Sequence, residues 1–78
     1  MLKKKLSLIL TFATTTQAMA TESFCHQRGL PGRLIPVPRE ITAGCGLSWK
    51  ALPEDKDLLL EALSQGGMVW QECHLIEV

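Results

Sequence analysis

The residues best suited to covalent chemistry in this chain are three cysteines, Cys25, Cys45 and Cys73. Their odd number and wide spacing suit neither a disulfide framework nor a zinc site made of paired Cys-x-x-Cys ligands. At least one thiol must therefore be unpaired within a monomer. The two histidines, His26 and His74, do not form a pair at the close spacing that structural zinc sites use. We expect no metal site and no cofactor, so any chemistry would belong to a thiol.

Cys45 differs from the other two cysteines because glycine stands on both sides of it, at Gly44 and Gly46. Glycine allows backbone conformations that other residues avoid, so this thiol can be exposed and can turn toward a partner. A thiolate in such a loop can take up a sulfur atom from one protein and present it to another. Arg39 is close in sequence, and its positive charge would favour the thiolate. The alternative is that Cys45 is a small buried residue that closes the loop.

The other chemically capable residues have simpler structural interpretations. Cys25 falls on the apolar face of the first predicted helix, and Cys73 falls on the inward face of the last predicted strand. We expect both of these thiols in the core. His26 stands at a helix end, where a positive charge would oppose the helix dipole favourably, and His74 is expected on an exposed strand face. None of the four is assigned a catalytic role.

The composition narrows the class of protein. A chain of 78 residues can build one hydrophobic core, so we interpret residues 1–78 as a single domain. The formal net charge is zero, so neither a nucleic acid nor an acidic membrane surface is an expected partner. With no Tyr, two Trp and two Phe, the chain also lacks the interleaved aromatic and basic residues of single-strand binding proteins. These features do not determine the oligomeric state.

The first 20 residues imitate a secretory signal, with three lysines, an apolar run and the small-residue site Ala18-Met19-Ala20. However, Leu6 to Phe12 also reads as a central strand, and Thr14 to Thr16 offer caps for a following helix. Cleavage after Ala20 would remove that strand and the first helical turn, leaving too little apolar surface to offset the ordering entropy. We therefore expect an uncleaved, cytoplasmic protein. The alternative, a secreted or periplasmic protein, requires a mature N-terminus at Thr21.

Hydrophobic periodicity, prolines and glycines predict six elements in all. The predicted elements are a strand at Leu6–Phe12, a helix from Thr14 to Arg28, strands at Arg33–Pro38 and Leu47–Leu52, a helix from Pro53 to Gly66-Gly67, and a strand at Met68–Val78. This β-α-β-β-α-β order is that of the ferredoxin-like fold, an α+β fold in which two helices cover one face of a four-stranded antiparallel sheet.

Several of these elements carry specific expectations about burial. The two prolines of the second strand remove hydrogen-bond donors, which places that strand at a sheet edge. Helical spacing predicts that each helix buries one apolar stripe. The predicted stripes are Ala18, Met19, Phe24 and Cys25 in the first helix, and Leu58, Leu59, Ala62 and Leu63 in the second.

The residues beside Cys45 carry a resemblance to a known family. The run RLIPVPREI at residues 33–41, followed closely by Cys45-Gly46-Leu47, resembles a family of small bacterial proteins described as selenium/sulfur carrier-like. The similarity extends upstream through Phe12 and downstream through Pro53-Glu54-Asp55. The resemblance implies a short cytoplasmic domain that starts directly with its first strand and carries selenium or sulfur.

Two classes of function follow from these observations. In the first, the chain is a carrier, not an enzyme, that holds sulfur or selenium on Cys45 between a donor and an acceptor protein. Arg39 and Glu40 would then help to recognise the partner, and Gly44 and Gly46 would shape the binding loop. In the second, the chain is a small interaction or regulatory module that uses the exposed edge at Leu34 to Pro38 and no thiol chemistry.

Overall fold

A computed structural model describes residues 5–42 and 44–78. The elements are β1 (Leu6–Thr11), α1 (Thr15–Arg28), β2 (Arg33–Pro36), β3 (Leu47–Ala51), a 3-10 turn (Pro53–Asp55), α2 (Lys56–Gln65) and β4 (Glu72–Glu77). Two of the three lysines in the signal-like segment, at positions 3 and 4, lie outside the described residues.

The four strands form one sheet in the order β2-β3-β1-β4, and every neighbouring pair is antiparallel. Together with two helices inserted after β1 and β3, this is the ferredoxin-like arrangement, as predicted. The signal-like segment supplies β1, which lies between β3 and β4 at the centre of the sheet. Removing β1 would separate β4 from the rest of the sheet.

The main core lies between the helices and one face of β1. Leu8, Leu10 and Phe12 are fully buried there, and they cluster with Leu59 and Leu63 of α2. Alternation along a strand explains why these even-numbered residues share one face. The opposite face is also covered at its centre, because Ile9 and Thr11 of β1 and Ser48 of β3 are fully buried.

Helix α1 begins and ends where its sequence signals predict. The Thr14 hydroxyl accepts a hydrogen bond from the Gln17 amide at 3.1 Å, and the Gln17 side-chain oxygen accepts one from the Ala13 amide at 3.1 Å. Gly29 ends the helix with φ 65°, a left-handed conformation typical of helix ends. These bonds fix the turn between β1 and α1.

The predicted stripe of α1 is wrong at one residue. Met19 is 52% exposed, whereas Ala18, Thr21 and Cys25 are buried. These three positions are spaced by three and four residues, and Met19 lies about 100° around the helix from Ala18. The buried stripe therefore passes through a threonine instead of the methionine.

Helix α2 differs from the prediction in its start and its stripe. Pro53 begins a 3-10 turn, and the α-helix itself starts at Lys56. Leu59 and Leu63 are fully buried, but Leu58 is 57% exposed, so its predicted burial is wrong. Residues four apart stack on one helix face, and Leu58 lies outside the face that Leu59 and Leu63 share.

The outer strands confirm one prediction and correct another. β2 is an edge strand, as its prolines predicted. β4 is shorter than predicted, and Cys73, which was expected in the core, is exposed. Cys73 pairs with Leu10 and therefore lies on the predicted face of the sheet. β4 is the other edge strand, so it has a neighbouring strand on one side only. A side chain on the helix-facing surface of this strand can therefore still be exposed to solvent.

Candidate functional site: the Cys45 loop

Cys45 lies in the connection between β2 and β3, and two backbone hydrogen bonds fix its position. The Cys45 amide donates to the Phe12 carbonyl oxygen at 3.0 Å, at the end of β1. The Val37 amide, just after β2, donates to the Gly46 carbonyl oxygen at 2.9 Å. The cysteine is thus held by the backbone beside the turn that leads into α1, although it belongs to a loop.

Both glycines that flank Cys45 adopt positive φ angles, 84° at Gly44 and 92° at Gly46. Side chains other than glycine rarely adopt this conformation. Gly44 has a second requirement, because an added Cβ would collide with the Phe12 carbonyl oxygen. At Gly46 an added Cβ meets no heavy atom of the described residues within 4 Å. The glycine pair therefore allows the loop to approach the end of β1.

The Cys45 side chain is neither fully exposed nor fully buried. It packs against the helix-side core cluster, and its thiol lies 3.9 Å from the Leu47 carbonyl oxygen, in the range of a weak S–H···O hydrogen bond. The sequence left open whether Cys45 is an exposed thiol or a small buried residue that closes the loop, and the structure combines features of both. One side of the residue closes the loop against the core, while the other remains in contact with solvent.

The three thiols have clearly different surroundings, and none is in a disulfide within the described residues. Cys25 is fully buried in the core, as predicted, and burial raises the pKa of its thiol from 9.0 to about 11. That thiol is protonated and inaccessible at neutral pH. Cys73 is exposed on β4, which is an edge strand, and no glycine flanks it. Cys45 alone combines partial exposure with a structured glycine loop.

The other residues expected at the site lie in the same connection. Arg39 and Glu40 are both exposed, and within residues 5–42 and 44–78 neither side chain forms an ion pair. Their charged groups are available to a partner, but the structure does not join them to the Cys45 thiol. Residue 43, between them and the thiol, lies outside the described part of the chain.

Sequence reasoning missed Gln71. Its side-chain oxygen lies 3.2 Å from where a Cβ on Gly44 would be, and its amide donates to the Thr11 carbonyl oxygen at 2.7 Å. The residue precedes β4, so it reaches the loop because β4 pairs with β1. Gly44 and Gln71 are 27 positions apart in the sequence, and no local pattern indicates that contact.

The same end of the sheet presents an apolar surface. A shallow groove is lined by residues of the α2–β4 connection, including Met68, Val69 and Trp70, and Val69 is 57% exposed. Because β4 starts opposite the end of β1, this groove and the Cys45 loop lie at the same end. Exposed apolar side chains beside a candidate thiol are suited to contact with another protein.

The remaining side chains give no indication of a metal centre. Across the described ranges, no three His, Cys, Asp or Glu residues come close enough together to hold a metal ion. The described helices are also too short and too polar for any of them to cross a membrane.

Comparison with known proteins assigns the chain to a family. The model of the family described as "Putative Se/S carrier protein-like" matches residues 7–75, from β1 to β4. The chain belongs to this family. The match includes the Cys45 loop and also the strand β1, which the signal-like segment supplies. No curated protein and no solved structure matches the chain.

Proposed function

We propose that this chain is a non-enzymatic carrier of sulfur or selenium in the bacterial cytoplasm, and that Cys45 is the residue that holds the cargo. The observation that carries the proposal is the position of Cys45, a partly exposed cysteine held in a glycine loop by a hydrogen bond from its amide to the Phe12 carbonyl oxygen. Membership of the Se/S carrier-like family supports the same class of function. The carrier needs no cofactor, since the thiol itself holds the cargo.

The proposed transfer consists of two balanced substitutions. In loading, the Cys45 thiolate attacks the outer sulfur of a cysteine persulfide on the donor protein. The new S–S bond forms as the old one breaks, and the donor cysteine leaves as a thiolate. In unloading, an acceptor nucleophile attacks the outer sulfur of the Cys45 persulfide and Cys45 leaves as a thiolate. Selenium would be held in the same way, as the outer atom of an S–SeH group.

The geometry of the loop suits both steps. Cys45 is partly exposed, so a donor or acceptor protein can approach this residue, and the contact with the core restricts where its side chain can point. Arg39 and Glu40 supply exposed charges for recognition of a partner, and the groove beside Val69 supplies apolar contact area. A donor or acceptor protein would thus meet the thiol, a charged segment and an apolar patch on one end of the molecule.

A second function is supported by one specific observation. β2 is an edge strand, so a partner could add a strand to it without any thiol chemistry. Its proline at position 36 limits how many backbone donors this edge can offer. The interaction module is therefore the weaker of the two proposals.

Loading with sulfur separates the two functions. Purified protein is incubated with a cysteine desulfurase and cysteine, and intact and peptide masses are measured for the wild type, Cys45→Ala and Cys73→Ala. The carrier gains one sulfur atom on the Cys45 peptide, and the Cys73→Ala control gains it equally. Cys45→Ala should gain none. No adduct in the wild type, or an adduct on any accessible thiol, would favour the interaction module, whereas loss of the adduct in Cys73→Ala instead would mean that Cys73 holds the sulfur.

A further inference from the structure

A cavity lies at the end of the sheet opposite Cys45. It has a volume of about 390 Å³ and lies where β1 begins and β3 ends, lined by Ser7, Pro31, Arg33, Lys50, Leu52 and Asp55 among others. Both apolar and charged side chains line it, a combination typical of small-molecule sites, and its volume falls within their usual range. The carrier proposal does not use this cavity.

One wall of the cavity is held rigidly. The indole nitrogen of Trp49, which is buried, donates a hydrogen bond to the Pro31 carbonyl oxygen at 3.1 Å. A Cβ on Gly32 would collide with the Trp49 indole nitrogen and would lie 2.7 Å from the Lys50 carbonyl oxygen. The segment before β2 is therefore packed closely against β3, which brings Arg33 to a fixed place beside Lys50.

Arg33 and Lys50 form a pair of like charges in this wall. They are direct partners in the β2–β3 register, so their Cβ atoms lie about 5 Å apart on the same face of the sheet. Like charges directly opposite each other destabilise a sheet. Among the described residues the only ion pair is between His74 and Glu72, so neither cation has a carboxylate partner within 4.0 Å.

The remaining polar groups of the cavity define which ligand would fit. Asp55 also lines the cavity, which leaves one excess positive charge among its described lining residues. One excess charge suits a single anionic group better than a polyphosphate. The Ser7 hydroxyl is nearly buried and donates to the Lys5 carbonyl oxygen at 3.1 Å.

We propose that this cavity binds a small organic anion through one carboxylate or phosphate group placed between Arg33 and Lys50. The anion neutralises the charges of Arg33 and Lys50, which the sheet register places side by side. The arginine side chain can donate two parallel hydrogen bonds to a carboxylate or phosphate group. The apolar body of the anion lies against Pro31 and Leu52, and a hydroxyl or ammonium group faces Asp55. The site is separate from Cys45, so it can be tested without reference to the carrier function.

Two probes distinguish the carboxylate from the phosphate. Glycerol phosphate and 4-hydroxybutyrate, a monocarboxylate with a terminal hydroxyl group, are titrated separately into ¹⁵N-labelled full-length protein, and the amide signals of Gly32, Arg33, Lys50 and Leu52 are followed by NMR. We expect a saturable shift of these signals with at least one probe. Arg33→Gln and Lys50→Gln should each weaken that binding by about tenfold or more, as expected for loss of a charge-assisted hydrogen bond. Arg39→Gln removes the same charge at the opposite end and should leave binding unchanged.

Thermal unfolding distinguishes a variant that has lost the binding site from a variant whose fold is damaged. Without a probe, Lys50→Gln should unfold at the same temperature as the wild type or a higher one, because it relieves the like-charge contact. Addition of the bound probe should raise the unfolding temperature of the wild type and not that of the variant. The proposal is overturned if neither probe gives a saturable local shift, or if both variants bind as tightly as the wild type.

Discussion

At the scale of single residues, the environment of each cysteine determines what its thiol can do. Cys25 lies in the core with a pKa raised by burial, Cys73 is exposed on an edge strand, and Cys45 is partly exposed in a loop. Sequence context distinguished Cys45 because two glycines flank it, and both adopt the positive φ angles that glycine allows. The exposure of Cys73 was not predictable from alternation, because alternation gives the face of a strand and not its place in the sheet.

Gly44 and Gly46 provide a matched test of the loop. Gly44→Ala should lower the free energy of unfolding by more than about 2 kcal/mol, since it adds a collision with the Phe12 carbonyl to the cost of a positive φ. Gly46→Ala adds only the conformational cost, about 1 kcal/mol. Urea unfolding measures both changes. Equal losses in the two variants would show that the approach of Gly44 to Phe12 does not shape the loop.

The raised pKa of Cys25 predicts a loss of stability in alkali. The thiol has a pKa of 9.0 in the unfolded chain and about 11 in the folded protein, so between these values the folded state holds the proton more tightly. Its contribution, of the order of 2 kcal/mol, is complete below pH 9 and is lost as the pH rises toward 11. Urea unfolding from pH 8 to pH 11 should therefore show a steeper decline for the wild type than for Cys25→Ala. Parallel declines would contradict a buried thiol.

At the scale of elements, helix α2 shows which features hydrophobic periodicity predicts and which it does not. The sequence predicted a helix that starts near Pro53 and buries a leucine stripe, and the helix and its end at Gly66 are present. The 3-10 turn at its start and the exposure of Leu58 were not predictable from the pattern. In a run of three leucines, several stripes satisfy helical spacing equally well, and only contact with the sheet selects the buried one.

Adjacent leucines of α2 test that selection directly. Leu59→Ala should destabilise the protein by about 2–5 kcal/mol, because it leaves a cavity in a fully buried part of the core. Leu58→Ala, at a side chain that is 57% exposed, should cost less than about 1 kcal/mol. Thermal or urea unfolding of the two variants gives the comparison. A reversed order of the two losses would mean that the helix packs through the other face.

At the scale of the whole molecule, the strand order explains why the sheet depends on the signal-like segment. β1 pairs with both β3 and β4, and without it no strand would link β4 to the rest of the sheet. The order of elements and the turn signals were sufficient to predict this topology, because β-α-β-β-α-β has few compact solutions. The contact between Gln71 and Gly44 was not predictable, since it depends on how the sheet places two distant loops at one end.

Truncation tests the role of the segment. A variant that begins at Thr21 lacks β1 and the first turns of α1, so it loses the Leu8, Leu10 and Phe12 part of the core. We expect this variant to show no cooperative thermal unfolding and no dispersed NMR spectrum, whereas the full chain shows both. A cooperatively folded truncated protein would support the alternative in which the first 20 residues act as a removable signal.

As a carrier residue, Cys45 must take up a sulfur atom and give it up again. The most direct measurement is peptide mass spectrometry of protein loaded with isotopically labelled sulfur, taken before and after addition of an acceptor thiol. We expect the label on the Cys45 peptide before addition, and we expect the acceptor to receive it while Cys45 returns to a free thiol. A label that never reaches Cys45, or that stays there after addition of the acceptor, would contradict the carrier function.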